Sequence, residues 1–293
     1  MKEFRTAVRF SLLSVRDELG KVSFYVFLGI LFVTIQLYFS GVAGYLRENS
    51  GRMNIWELYI WFLSSRNSQI IYFLGVIFLA GQVIHFQSET AYYLIRTTRF
   101  AWTLSRILSL FFLIAGLQLF LLLCFAAACG GRVTLTGSWS EAAETAMKQS
   151  VSSIGVHDIV WANKAMLPYN PNKMGWTSAA LAVLSGLFTG LILMLCYMKR
   201  RPAYGVAVVL FLWWFDHYVE FDVLAPLEFF EGRYVDHPLA YVTPYGLSRI
   251  YRLSPLVGSI SLPYALAFLA GWGLILALLI LRAGEKIDFV KLE

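Results

Sequence analysis

Charge is what this chain has least of. Asp, Glu, Lys and Arg make up 14% of its 293 residues, and hydrophobic residues 58%. Soluble domains carry about 25% charged residues. That deficit leaves too little polar surface to face water, so the composition indicates a polytopic membrane protein. Cysteine is scarce too. Cys124, Cys129 and Cys196 all fall within apolar runs, so no disulfide framework stabilises the polar loops. Cys124 and Cys129 are five residues apart and Cys196 belongs near the opposite membrane face, which argues against a metal site. His85, near the end of an apolar run, has only Glu89 within a helical turn and reads as an interfacial residue. The chain contains no G-x-x-x-x-G-K-[ST] stretch, so it cannot cradle a nucleotide as an ATPase does. It has no H-E-x-x-H and no paired acidic motif on an apolar run. The formal charge of +6 then orients loops rather than binding nucleic acid.

What is present is a series of long apolar runs, at 22–46, 67–88, 107–131, 174–198, 202–215 and 253–281. About 20 residues cross a bilayer core as a helix. The expected fold is an all-α bundle of six transmembrane helices in a single domain, 1–293. Residues 1–21 precede the first run as an amphipathic helix. Phe4, Val8, Leu12 and Val15 share one stripe, and Arg5, Arg9 and Arg16 lie on the next. The apolar run that follows is longer than a signal-peptide core and reads as an uncleaved first span. Residues 47–66 read as a polar loop whose Trp56, Tyr59 and Trp61 form an aromatic belt at the interface. Residues 132–173 form a long loop holding Glu141, Glu144, His157 and Asp158, too short for an independent domain. A short helix is predicted near 141–149, and turns around Pro168 and Pro171. Lys199, Arg200 and Arg201 make a tight basic turn, and Pro202 suits the first turn of the next helix.

The fifth run is short. Residues 202–215 give about 21 Å of helix, against a core of about 30 Å. Either Asp216 and His217 enter the membrane zone or the helix ends early. The expectation is an early end, with Asp216 and Glu220 at the outer interface. Residues 217–258 carry Glu220, Asp222, Glu228, Glu231 and Asp236 and read as short external helices dipping into the outer leaflet.

Parity sets the orientation. Residues 1–21 and the 199–201 turn are the strongest basic signals, and four spans separate them. Both then face the cytoplasm, as do both termini and the 87–106 connector. That connector, QSETAYYLIRTTRFAWTLSR, has no Gly or Pro. Tyr92, Ile95, Arg99 and Trp102 recur at steps of three and four and share a helix face. Such a segment suits a handle moved by a cytoplasmic partner; the plainer reading is a basic loop that sets topology. The spans carry no interior carboxylate of the kind that ion-driven carriers use, Asp216 excepted. The energy source is therefore expected in a separate subunit.

The layout resembles the permease subunit of a bacterial type 2 ATP-binding-cassette exporter. The run LIRTTRFAWTLSR at 94–106 is similar to an arginine-rich stretch in a branch of that family. Here the proline usual after the threonine is missing, and Ser105-Arg106 replaces a frequent Gly-Lys. The resemblance implies an amino-terminal elbow helix at 1–21, a coupling helix at 87–106, and membrane-dipping helices between spans 5 and 6. It implies residence in the cytoplasmic membrane. It also implies a second permease copy, identical or paralogous, and a cytoplasmic ATPase that holds ATP and Mg while this chain binds no cofactor. Glu89, Tyr92, Tyr93, Ile95, Arg96, Arg99, Trp102 and Arg106 would then contact the ATPase, or Arg96 and Arg99 would hold anionic lipid headgroups. The substrate class would be a peptide, lipid or drug-like molecule. The alternative is a membrane-embedded enzyme or sensor that uses His157, Asp158, Asp216, His217 and Glu220 on the outer side.

A cysteine at Ser140 is expected to react with a membrane-impermeant maleimide added from outside the cell. Labelling from the cytoplasmic side alone would contradict the six-span topology.

Overall fold

The computed structural model describes residues 2–49, 51–64, 66–84, 98–148, 166–224, 237–254 and 260–285. Most of them are helical. The helices are α1 (Lys2–Leu19), α2 (Val22–Tyr38), α3 (Ser40–Glu48), α4 (Ile55–Ser64), α5 (Arg66–Ile84), α6 (Arg99–Ala128), α7 (Glu141–Lys148), α8 (Pro171–Met198), α9 (Pro202–Tyr218) and α10 (Leu262–Glu285). A π-helical segment, Val219–Leu224, prolongs α9, and 3-10 turns follow at Pro238–Val242 and Ile250–Arg252. Two parallel two-residue bridges complete the structure. Met53–Asn54 (β1) pairs with Val133–Thr134 (β2), and Leu253–Ser254 (β3) with Ile260–Ser261 (β4).

Among the described residues, three helices, α6, α8 and α10, are long and apolar enough to cross a membrane. Two bent pairs raise the number to five if each is one crossing: α1 with α2 at 70°, and α4 with α5 at 86°. Six crossings were expected; α9 has 17 residues. Large apolar side chains are exposed along whole faces: Tyr25, Ile30 and Leu37 on α2, Phe211 and Trp214 on α9, Leu274 and Leu278 on α10. Soluble monomers rarely expose contiguous apolar patches beyond a few hundred Å². The architecture is compatible with a protein embedded in a membrane.

α8 is the axis of the bundle and packs on α4, α5, α6, α9 and α10. Its start is set locally. The Asn170 side chain accepts hydrogen bonds from the backbone N–H groups of Asn172 and Lys173, and Pro171 occupies the first turn, where a missing N–H costs nothing. α6 and α8 run antiparallel, because Gly190 abuts Leu110 and Gly186 abuts Ile114. α9 returns along α8, with Gly205 against Leu193 and Cys196. The helix expected near 141–149 is α7, and Pro202 opens α9 as expected. The tight basic turn places Arg200 at φ 59°.

α1 is helical as expected, but its packing adds a third face. Ala7, Ser11 and Glu18 are buried against the bundle while Phe4 and Leu12 are exposed. Ser109 Oγ on α6 donates to Ser11 O at 3.3 Å. Small side chains on that face permit the close approach.

The 47–66 segment departs most from its expectation. Within it, α4 is not an interfacial belt: every residue from Trp56 to Ser64 is buried. Its sequence is apolar around nearly the whole helix, which favours burial on all sides. Trp56 occupies the space a Cβ on Gly175 would need. The one acid, Glu57, accepts from Asn54 N (3.1 Å), Ser140 Oγ (2.7 Å) and Ser140 N. These bonds fasten the 132–173 loop to α4. Deeper in the bundle, Tyr59 OH donates to Gln118 Oε1 (2.7 Å), Gln118 Nε2 to Tyr72 OH (3.0 Å), and Tyr72 OH to Ala182 O (2.6 Å). This network joins α4, α5, α6 and α8.

Candidate functional site: a buried ion cluster

The sequence pointed to two regions, 87–106 and the residues around Asp216. Of the first, Glu89, Tyr92, Tyr93, Ile95 and Arg96 lie outside the described residues, as do His85, His157 and Asp158. Residues 98–106 are described. Thr98 caps α6 by accepting from Ala101 N at 3.2 Å, and Arg99 begins the helix. Arg99 is exposed and donates from Nη1 to Glu285 O, at the end of α10, at 2.8 Å. Trp102 is buried. Arg106 lies over its ring at 5.5 Å and donates to Ser14 Oγ on α1 at 3.0 Å. Of these three, Trp102 is buried in the bundle, Arg106 joins α6 to α1, and exposed Arg99 joins α6 to the end of α10.

The second region is where the chain concentrates buried charge. Helical geometry continues through Asp216 to Leu224 and does not end at Asp216 as expected. Asp216 is also not at a water-facing interface, with 1% of its surface exposed. Leu181 of α8 shares a core with Val219 and Leu224, and Gly205 abuts Leu193. Asp216, between those contacts, therefore lies alongside the middle of α8. The sequence reading lacked the partners that make this tolerable.

Those partners are Arg249 and Arg252, brought in by the turn after Thr243. Arg249 Nη2 is 3.1 Å from Asp216 Oδ2, and Arg249 Nη1 also pairs with Glu220 Oε2. Arg252 Nη2 is 3.0 Å from Glu220 Oε1. Both arginine side chains are at most 3% exposed, whereas Glu220 is 16% exposed. Two acids and two bases give a neutral set. Arg249 Nε donates to Gln69 Oε1 at 2.9 Å, and Gln69 Nε2 donates to Ser248 Oγ at 3.0 Å and Tyr245 O at 3.3 Å. Tyr245 OH and Thr189 Oγ1 on α8 lie 3.2 Å apart. His217 stacks on Trp213 with ring centroids 6.1 Å apart.

The sequence does contain a signal for this cluster. Asp216 and Glu220 are four apart and share a helix face, and Arg249 and Arg252 are three apart. Equal charges at helical spacing, in a chain this apolar, could have been matched. Among the described residues no three His, Cys, Asp or Glu side chains converge as metal ligands. The chemistry available is ion-pair exchange and hydrogen bonding. Comparisons with protein-family models, curated proteins and solved structures found no match.

Gly246 leaves room for the cluster. A Cβ there would lie 2.5 Å from Thr243 Oγ1, 2.6 Å from Asp216 Oδ1 and 2.8 Å from Arg252 Nη1. Gly246→Ala is expected to lower stability by about 1–3 kcal/mol, the usual range for overpacking, read as a lower unfolding midpoint in detergent. Gly271→Ala, where nothing lies within 4 Å, is the control. Equal midpoints would contradict the packing described.

Proposed function

We propose that the chain is the membrane-spanning permease subunit of an ATP-binding-cassette exporter, worked by a separate cytoplasmic ATPase. One observation carries the reading. α6 begins within the 87–106 segment and runs 30 residues without a break, about 45 Å at 1.5 Å per residue. The described end of the connector is thus continuous with a candidate span. Arg99 ties that end to α10, and Arg106 ties it to α1. A force on the connector would move three helices as a body, the rigid coupling such a transporter needs.

The same contacts support the orientation. The amino-terminal helix, the start of α6 and the end of α10 meet at one end of the bundle, and the antiparallel α8 delivers the 199–201 turn there. These are the basic segments that parity assigns to the cytoplasm. In this reading the membrane is the bacterial cytoplasmic membrane, and a second permease copy completes the pathway. The cargo is a peptide, lipid or drug-like molecule. An enzyme or sensor using Asp216 and Glu220 has less support, since arginines already engage both carboxylates.

Purification from native membranes is expected to yield a stoichiometric ATPase. Replacing Tyr92 and Ile95 together with glutamate should reduce its recovery at least about tenfold, because a few buried anchors dominate such interfaces. Undiminished recovery and normal substrate-stimulated ATP hydrolysis would place the handle elsewhere.

A further inference from the structure

Residues 243–250 are buried without a break, yet only the last is helical. Non-helical backbone at membrane depth persists only where it is buried in protein or lines a cavity. Here the backbone satisfies itself by local turns, such as Leu247 N to Thr243 O at 2.9 Å and Arg249 N to Gly246 O at 3.1 Å. The segment reaches the bundle through apolar side chains, with Tyr245 (4.3 Å from Phe73) and Ile250 in the main core and Leu247 in a second one, and through polar groups: Thr189, Gln69, Asp216 and Glu220.

We propose that residues 243–252 are a movable stopper in the bundle, latched by the ion pairs of Arg249 and Arg252 with Asp216 and Glu220. This rests on the transport reading, because a stopper implies a passage. Three features fit a latch better than a permanent wedge. First, buried ion pairs hold a segment at a high desolvation cost that apolar side chains of the same size avoid, and their best-attested use is in registry and switching. Second, the pairing is shared. Arg249 touches both acids and Glu220 touches both arginines. The Arg249–Asp216 pair can therefore separate while Arg249 keeps its pairing with Glu220. Third, Asp216 Oδ1 is buried and has no hydrogen-bond partner among the described residues. Glu220, the most exposed member, gives water its entry. The latch also joins two separate elements of the bundle. Asp216 and Glu220 belong to α9 and its π-helical extension, while Gln69 belongs to α5, which leads toward the 87–106 connector.

The test is cysteine accessibility of the stopper. Thr243→Cys is placed in a cysteine-free background and labelled in intact membranes with an impermeant maleimide. With the native latch the thiol is expected to react slowly. Glu220→Gln is expected to raise the rate at least about tenfold, by making local opening easier. Gln69→Ala removes no charge, keeps the test valid if Glu220→Gln fails to fold, and is expected to raise the rate several-fold. An unchanged rate in a folded Gln69→Ala or Glu220→Gln protein would overturn the proposal, as would fast labelling with the native latch. The labelling needs no ATPase. Faster labelling without a co-purifying ATPase would uphold the stopper and sink the exporter reading; a co-purifying ATPase with unchanged labelling would do the reverse.

Discussion

The constraint on which this structure depends is that charge inside an apolar bundle must be compensated on the spot. Desolvating one carboxylate or guanidinium costs several kcal/mol even after the protein relaxes. Asp216, Glu220, Arg249 and Arg252 meet that cost collectively, as a neutral set with Gln69 holding the remaining Nε–H of Arg249. The set dictates much else. It lets α9 carry an acid alongside the middle of α8, and it draws the 243–252 turn inward. It also requires glycine at 246, where a side chain would collide with the charged atoms.

The remainder of the fold frames that cluster. α8 supplies an axis that five helices share. α4 enters nearly at right angles to α5 and is buried from Trp56 to Ser64, so α5 starts inside the bundle, where Gln69 can reach Arg249. At the other end, exposed Arg99 and half-buried Arg106 join α6 to α10 and α1. The charged cluster and the basic end are thus connected by helices, chiefly α5 and α6, that touch both regions or lead toward them. That connection is the physical content of the transport proposal.

Local chemistry was readable in advance and distant pairing was not. The long apolar runs became α6, α8 and α10. Pro202 and the Glu141 helix fell where turn and propensity rules put them, because those rules need only neighbouring residues. Asp216 was misjudged because its counter-ion, Arg249, is 33 residues away in the chain. A count of charge-free residues cannot see a partner that folds in from elsewhere. α4 was misjudged for a related reason. Its Trp and Tyr residues suit an interface or a core equally, and contact with Gly175, more than a hundred residues later, decides between them. Residues 87–97 of the connector lie outside the described residues; Arg99, Trp102 and Arg106 are the described members of the proposed contact set.

The most direct measurement is a double-mutant cycle on Asp216 and Arg249, read as unfolding free energy in detergent. Arg249→Met should cost about 3–5 kcal/mol, because it leaves Asp216 buried without its ion pair, and Asp216→Asn should cost less, because Arg249 keeps Glu220. The double variant should lose less than the sum, with a coupling of about 1–3 kcal/mol. Additivity within about 0.5 kcal/mol would mean that the two residues are independent. That result would contradict the claim that a compensated charge cluster organises the bundle.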